Sequence, residues 1–297
     1  MSKPKILFIV NPKAGAGKNL DFLKIISKEI NGIKYHFEIK FTQGPKHAAY
    51  LSQQAVIDGF SYCFAVGGDG TVNEVAGELK FTNTCLGIIP LGSGNGLARH
   101  LKIPMQIKKA LQLIDTGKIL RIDTLLVNKS FSVNVSGIGF DAHVASLFGK
   151  NGKRGLLNYA KIIFSEYKKY NEQEIEINYD GFLLTEKIFV AAFANSSQFG
   201  NNAFIAPQAS VLDEQIDLVL LKKMSVLKAL FLAPKLFLKS IETSDAVQII
   251  RARKISVTCN NEIALHIDGE PATASNSFNV EVVPESLNVL VSAATYR

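Results

Sequence analysis

At 297 residues and 47% hydrophobic composition, the chain can bury two modest cores or one large one, and none of its apolar runs is long enough to cross a bilayer as a helix. The formal charge of +7 resides wholly in residues 1–125, with 16 Lys+Arg against 9 Asp+Glu, while residues 126–297 hold 17 of each. That asymmetry points to an anionic ligand such as a polyphosphate, or to a membrane surface. No aromatic–basic motif or recognition helix argues for nucleic acid.

The basic start "MSKPKILFIVNPKAG" has an apolar core of only Ile6 to Val10, too short for a signal peptide and suited to a first strand. Helical spacing follows from Leu20 to Ile30, then a strand in "YHFEIKF" and a helix over Lys46 to Asp58. "YCFAV" is a strand, Thr71 to Leu79 helical, "LGIIP" a strand, and Met105 to Asp115 an amphipathic helix. Continuous apolar strands alternating with helices predict an α/β domain whose mostly parallel sheet is covered on both faces. Cys63, Cys85 and Cys259 are odd in number and lie in or beside apolar stretches, which fits buried free thiols in a reducing cytoplasm.

After about Ile119 the pattern changes to antiparallel strands. Asn128-Lys129 and Asp180-Gly181 read as two-residue hairpin turns. Further strands are expected at Ile216–Leu221, Val247–Ile250, Ile255–Cys259, Ile263–Ile267 and Phe278–Val283, with helices near Leu156–Tyr170 and Val226–Lys239. This half predicts an antiparallel β-sandwich or barrel.

Three glycine turns follow strands of the first half, where an open parallel sheet exposes backbone N–H groups to a ligand. "NPKAGAGKN" is not a Walker A loop, because Asn19 follows Gly17-Lys18 and Pro12 stands where the opening glycine belongs. In "GGDGTVNEV", Gly67, Gly68 and Gly70 let the backbone approach a ligand, and Thr71 can cap the next helix. Asp69 beside a phosphate would be repelled without an intervening cation, which suggests Mg²⁺. A bare Gly-Asp-Gly would read as a capped turn, but the preceding strand and following helix favour a site. "PLGSGNGLARHL" supplies Gly92, Ser93, Gly94 and Asn95 as a third donor-rich turn, with Arg99 one turn into the next helix.

"NPKAG", "GGDGTVNEV" and "PLGSGNGLAR", together with "NVSGIGFDAHV", "PQASVLDEQIDLVLL" and "HIDGEPA", resemble the signatures of the diacylglycerol kinase and sphingosine kinase superfamily almost end to end. The resemblance implies a lipid kinase using ATP and Mg²⁺ on a long-chain lipid alcohol. It implies an α/β domain over residues 1–123, joined by residues 285–297, and a lipid-binding β-sandwich domain over 124–284. Asn95-Gly96 stands where many bacterial diacylglycerol kinases read Asn-Asp, which leans toward the sphingosine and ceramide branch. Asp213 and Asp217 keep the positions of a structural Mg²⁺ site, although Glu214 replaces a common glycine.

On this reading Gly68, Gly70, Thr71 and Gly92 to Asn95 hold the nucleotide phosphates, Asn11 and "PKAG" close the site, and Thr42 lies near the adenosine. Lys13, Lys18 and Arg99 are candidates for phosphate charge, and Glu74 supports the metal shell. The resemblance gives Asp268 the role of general base, with Glu270 orienting it and Asp69 as the competing base. "MSVLKALFLAPKLFLKS" offers an interfacial helix with Lys228, Lys235 and Lys239 toward anionic head groups, or else a core-facing helix. The expected location is therefore cytoplasmic, peripheral to the inner face of the membrane, and an exposed sandwich edge offers a route to a homodimer. An NAD kinase, which also uses a "GGDGT" loop, and a catalytically silent lipid-binding relative are the alternatives.

Overall fold

The computed structural model describes residues 3–30, 32–148 and 156–295. The chain forms two units, residues 1–123 with 284–297, and residues 124–283, so the chain re-enters the first unit one residue before the expected 285.

In the first unit, β1 (Lys5–Val10), α1 (Lys18–Glu29), β2 (His36–Phe41), α2 (His47–Ile57), β3 (Tyr62–Gly67), α3 (Asp69–Leu79) and β4 (Cys85–Pro90) alternate. The short helices α4 (Gly96–His100), α5 (Ile107–Leu111) and α6 (Leu113–Thr116) follow, then β5 (Gly117–Val127) leads onward. All four strands pair in parallel in the order β2-β1-β3-β4. The chain steps from β1 out to β2 and then back past β1 to β3. Right-handed crossovers therefore put α1 on one face and α2 and α3 together on the other. Accordingly α2 packs on α3, and α1 packs on α5. Coverage on both faces explains why Ile6, Leu7, Phe8, Ile9 and Val10 are all fully buried.

The second unit contains β6 (Ser130–Ser132), β7 (Val135–Gly139), α7 (Phe140–Leu147), α8 (Leu156–Tyr167), β8 (Gln173–Tyr179), β9 (Phe182–Ile188), β10 (Val190–Ala194), β11 (Gln198–Gly200) and β12 (Ala203–Phe204). It continues with β13 (Ile216–Leu221), α9 (Val226–Phe237), β14 (Val247–Ala252), β15 (Lys254–Ile267) and the start of β16 (Glu270–Ser292). The antiparallel order β14-β13-β10-β7-β15 makes one layer, and β8 with β9 pairs with the first half of β15. The two strands expected at 255–259 and 263–267 are one strand, β15, whose register with β16 shifts between Thr258 and Ile263. That irregularity lets a single strand serve both layers of the sandwich.

Alternation divides two cores. Ala191 and Phe193 of β10 face the core between the layers, while Val190, Ala192 and Ala194 face a second core with Phe140 and Val144 of α7 and Leu232 of α9. Both predicted hairpins occur with all turn residues at positive φ: Asn128 (45°), Lys129 (69°), Asp180 (48°) and Gly181 (89°). The helix expected over Met105–Asp115 is interrupted at Gln112 and becomes α5 and α6.

Candidate active site

Because β1 to β4 run parallel, Asn11, Thr42, Gly67 and Pro90 all emerge at one edge of the sheet. The strand order reverses between β1 and β3, and a crevice outside the carboxyl ends at such a point is the usual ligand site of open α/β sheets. Asn11 bridges it: its N–H donates to Val66 O at 3.0 Å, its Nδ2 donates to Thr71 Oγ1 at 3.3 Å, and its Oδ1 accepts from Lys13 N at 3.0 Å. Thr42 N donates to Val10 O at 2.9 Å, placing the loop after β2 beside the end of β1.

The second and third glycine turns are interlocked. Leu91 N and Gly92 N both donate to Gly67 O, at 2.8 and 3.1 Å. Asp69 Oδ2 accepts from Asn95 N at 2.8 Å and Oδ1 from Gly96 N at 2.7 Å. Asp69 thus stabilises the exposed donors that start α4, as an anion at a helix N-terminus does. Asn95 sits at φ 52°, and its side chain closes the loop through Gly92 N (3.0 Å) and Gly92 O (2.7 Å). Arg99 Nε folds back onto Gly94 O at 3.1 Å.

Helix α3 begins at Asp69, two residues before the expected Thr71, and Gly68 is its N-cap. Thr71 is buried in the first turn, so it braces Asn11 instead of capping the helix. Val72 N donates to Gly68 O, the first intrahelical bond, so the N–H groups of Gly70 and Thr71 lie in the donor-rich first turn. Glu74, expected at a metal shell, instead accepts from Lys46 N at 2.9 Å and Ala48 N at 3.0 Å, securing the start of α2. Lys13 and Ser93 are exposed at the same edge, whereas the side chain of Lys18 lies outside the described residues.

In the second unit the Asp268 carboxylate is buried and engaged. Its Oδ1 accepts from Ser132 Oγ at 2.7 Å and Asn134 N at 3.0 Å, and its Oδ2 accepts from Val133 N at 2.9 Å. Asn195 Nδ2 donates to Val133 O at 3.0 Å. Asp268 (φ 48°) and Gly269 (φ 88°) form the two-residue turn joining β15 to β16, and Glu270, first on β16, is exposed. The resemblance supplied Asp268 and Glu270. Sequence reading did not single out Ser132, Asn134, Asp141 or His266, whose only signal was their place in the quoted motifs or next to them.

At the expected Asp213 and Asp217 site each carboxylate has a protein partner, while Asp217 Oδ2 is buried without a hydrogen bond. Asp217, on β13, is paired with its cross-strand neighbour Arg251, whose Nε donates to Oδ1 at 3.0 Å, and Asp213 Oδ1 accepts from Gln215 N at 3.2 Å. Burial raises the Asp217 carboxyl pKa, and Arg251 counters the shift. Among the described residues no group of three His, Cys, Asp or Glu side chains could hold a metal ion. An arginine meets the charge there.

Residues 5–127 match the family described as "Diacylglycerol kinase catalytic domain", and residues 134–291 match the "YegS C-terminal NAD kinase beta sandwich-like domain". A "Probable lipid kinase YegS-like" of Yersinia enterocolitica is 29% identical over 96% of both chains, and one of Pectobacterium atrosepticum is 27% identical over 96% of this chain and 95% of its own. An uncharacterized protein of Synechocystis is 30% identical over 95% of this chain and 69% of its own length. A crystal structure described as a diacylglycerol kinase from Bacillus anthracis shares the fold with a TM-score of 0.77 at 22% identity, and a second structure from that organism reaches 0.84 at 23%, each covering 99% of both chains. With two matched domains in the family's order, covering the first unit's interlocked turns and the second unit's sandwich, the chain belongs to the diacylglycerol kinase family of lipid kinases, phosphotransferases with an alcohol as acceptor.

Proposed function

We propose that the enzyme transfers the γ-phosphoryl group of ATP to the hydroxyl of a long-chain membrane lipid, diacylglycerol or a sphingoid or ceramide-like alcohol, with Mg²⁺ as the metal. The observation that carries the nucleotide assignment is the locked pair of glycine turns at the carboxyl edge of the parallel sheet. Pre-set backbone donors cost no reorganisation when charge develops on the transferred group. Mg²⁺ is commonly held by one or two carboxylates together with substrate phosphates and waters. Asp69 is the carboxylate placed for that pattern: it opens α3 and lies between the two glycine turns, held there by Asn95 N and Gly96 N. The ion would neutralise phosphate charge; the chain's own task there is to hold the phosphates.

A base must present a free lone pair to the acceptor hydroxyl. At least three of the four lone-pair sites of Asp268 are taken, whereas Glu270 on the same turn is exposed. We therefore assign the base to Glu270 and give Asp268 the task of anchoring its turn, exchanging the roles that the sequence reading gave them. The acceptor resides in a bilayer, so the enzyme works peripherally at the cytoplasmic membrane face. α9 supports this, since Leu227, Leu230, Phe231, Phe237 and Leu238 are exposed and only Leu232 of its apolar residues is buried.

The test is labelled ATP with Mg²⁺, supplied with either total lipid extract or NAD. Label should enter an organic-phase lipid. Glu270→Gln should lower turnover about 10²–10⁴-fold without loss of thermal stability. Asp268→Asn should lower stability, because buried donors lose an acceptor at about 1–3 kcal/mol each. Labelled NAD, or no labelled product, would overturn the lipid assignment. A stable but inactive Asp268→Asn beside an active Glu270→Gln would return the base to Asp268.

A further inference from the structure

We propose that Asp141 and His266 form a positioning couple that fixes the Asp268–Glu270 turn through Gly269 N–H, in addition to the bonds that Ser132 and Asn134 make to Asp268; the inference rests on the role given above to Glu270. His266 lies on β15, one residue short of the end of the strand, and is 3% exposed. Its Nδ1 accepts from Gly269 N at 3.1 Å, and its Nε2 stands 3.1 Å from Asp141 Oδ2. A ring nitrogen that accepts an N–H carries no proton, so the proton of the neutral imidazole sits on Nε2 and is donated to Asp141. The carboxylate thereby selects the tautomer, and the tautomer decides whether Gly269 N–H has an acceptor.

The placement of Asp141 is built into the fold. It is the second residue of α7, whose N-cap Gly139 (φ 101°) ends β7 and whose Phe140 N donates to Phe189 O at 2.8 Å. Its second oxygen accepts from Ala142 N at 2.8 Å. Gly137 is the cross-strand partner of His266, and a Cβ there would lie 2.6 Å from Asp141 Oδ2 and 3.0 Å from His266 Nε2. The bare glycine is what lets the two side chains meet. Ser136, one residue earlier on β7, accepts from Asp268 N at 3.3 Å and donates to Ser132 Oγ at 2.8 Å. Asp268 is therefore held directly by Ser132 at its carboxylate and by Ser136 at its N–H, Gly269 is held by His266, and Glu270 follows directly on β16. Asp268 and Gly269 at positive φ form the two-residue turn that pairs Ile267 with Glu270. The couple adds a side-chain anchor to that turn at Gly269 N–H.

The test uses the full-length protein with ¹⁵N-labelled histidine, whose five imidazoles are few enough to assign with a His266→Gln variant. His266 should show a protonated Nε2 and a bare Nδ1, and Gly269 should exchange its amide proton slowly. Asp141→Ala should speed that exchange at least tenfold, and Asp141→Asn, which keeps an oxygen acceptor, should restore most of the protection. In assays with dioctanoylglycerol micelles and ATP, Asp141→Ala should lower kcat at least tenfold with KM for ATP unchanged, again with rescue by Asn. A proton on Nδ1 in the wild type, Gly269 exchange indifferent to Asp141→Ala, or a kcat that does not fall would each overturn the couple. The spectroscopic and exchange readouts need no turnover, so a wild type inactive on the micelles would count against the proposed substrate and leave these readouts to decide.

Discussion

A methyl group at position 92 would lie 2.5 Å from the Gly68 Cα and 2.9 Å from Asn95 Oδ1, so the two glycine turns touch backbone to backbone. At position 68 the corresponding Cβ would stand 3.2 Å from Gly92 Cα, a tight contact that a small shift relieves. Gly92→Ala should therefore cost about 1–3 kcal/mol of stability, as overpacking does, and part the two turns. The thermal shift produced by ATP with Mg²⁺ should vanish in Gly92→Ala and weaken in Gly68→Ala. Gly44→Ala, where nothing lies within 4 Å, should leave it unchanged. A full nucleotide shift in Gly92→Ala would sink the assignment of this edge. The glycines were readable in the sequence because a tight turn after a strand has a local signature. The partners of Asp69 were not, since Asn95 and Gly96 lie 26 and 27 residues away and only the fold brings their N–H groups to it.

For a helix, spacing tells which residues share a face but not which face turns inward, and α9 illustrates the gap. Its apolar pattern fitted a core helix and an interfacial one equally well. The structure buries Leu232 and leaves Phe231 72% and Phe237 56% exposed, with Ser225 capping the first turn through Lys228 N. Burying such side chains is worth about 1.5–3 kcal/mol each when complete. A lysine near an anionic surface adds about 1 kcal/mol. The aromatic pair should thus outweigh Lys228, Lys235 and Lys239. Phe231→Asp with Phe237→Asp should reduce sedimentation with phosphatidylserine vesicles at least tenfold. Lys228→Gln should reduce it only a few-fold, and that loss should disappear in high salt. Undiminished binding of the double aspartate variant would exclude α9 as the anchor.

At the scale of the molecule, the alternating first half and the hairpins of the second half were legible because each rests on local period and turn chemistry. Which sheet receives the last residues was not, because "LNVLVS" reads as a strand wherever it goes; that expectation came from the family resemblance. The structure lays Val289 beside Leu86 of β4 in parallel register. Around it, Phe81 N donates to Ser286 O at 2.7 Å, Asn288 Nδ2 to Thr82 O at 3.0 Å, and Thr295 Oγ1 to Leu101 O at 3.4 Å. Leu287, Val289, Leu290 and Val291 are at most 3% exposed. Four such side chains at about 1.5–3 kcal/mol each amount to about 6–12 kcal/mol, comparable with the about 5–15 kcal/mol stability of a whole domain. The first unit is thus completed by a segment that follows the second unit in the chain, and β4 without it presents an apolar open edge. A chain ending at Val283 should accumulate as aggregates or show no cooperative melt, whereas Val291→Ala alone should stay folded with a lower Tm. A truncated chain that stayed monomeric and melted cooperatively near the wild-type temperature would show that the first unit folds without its last strand.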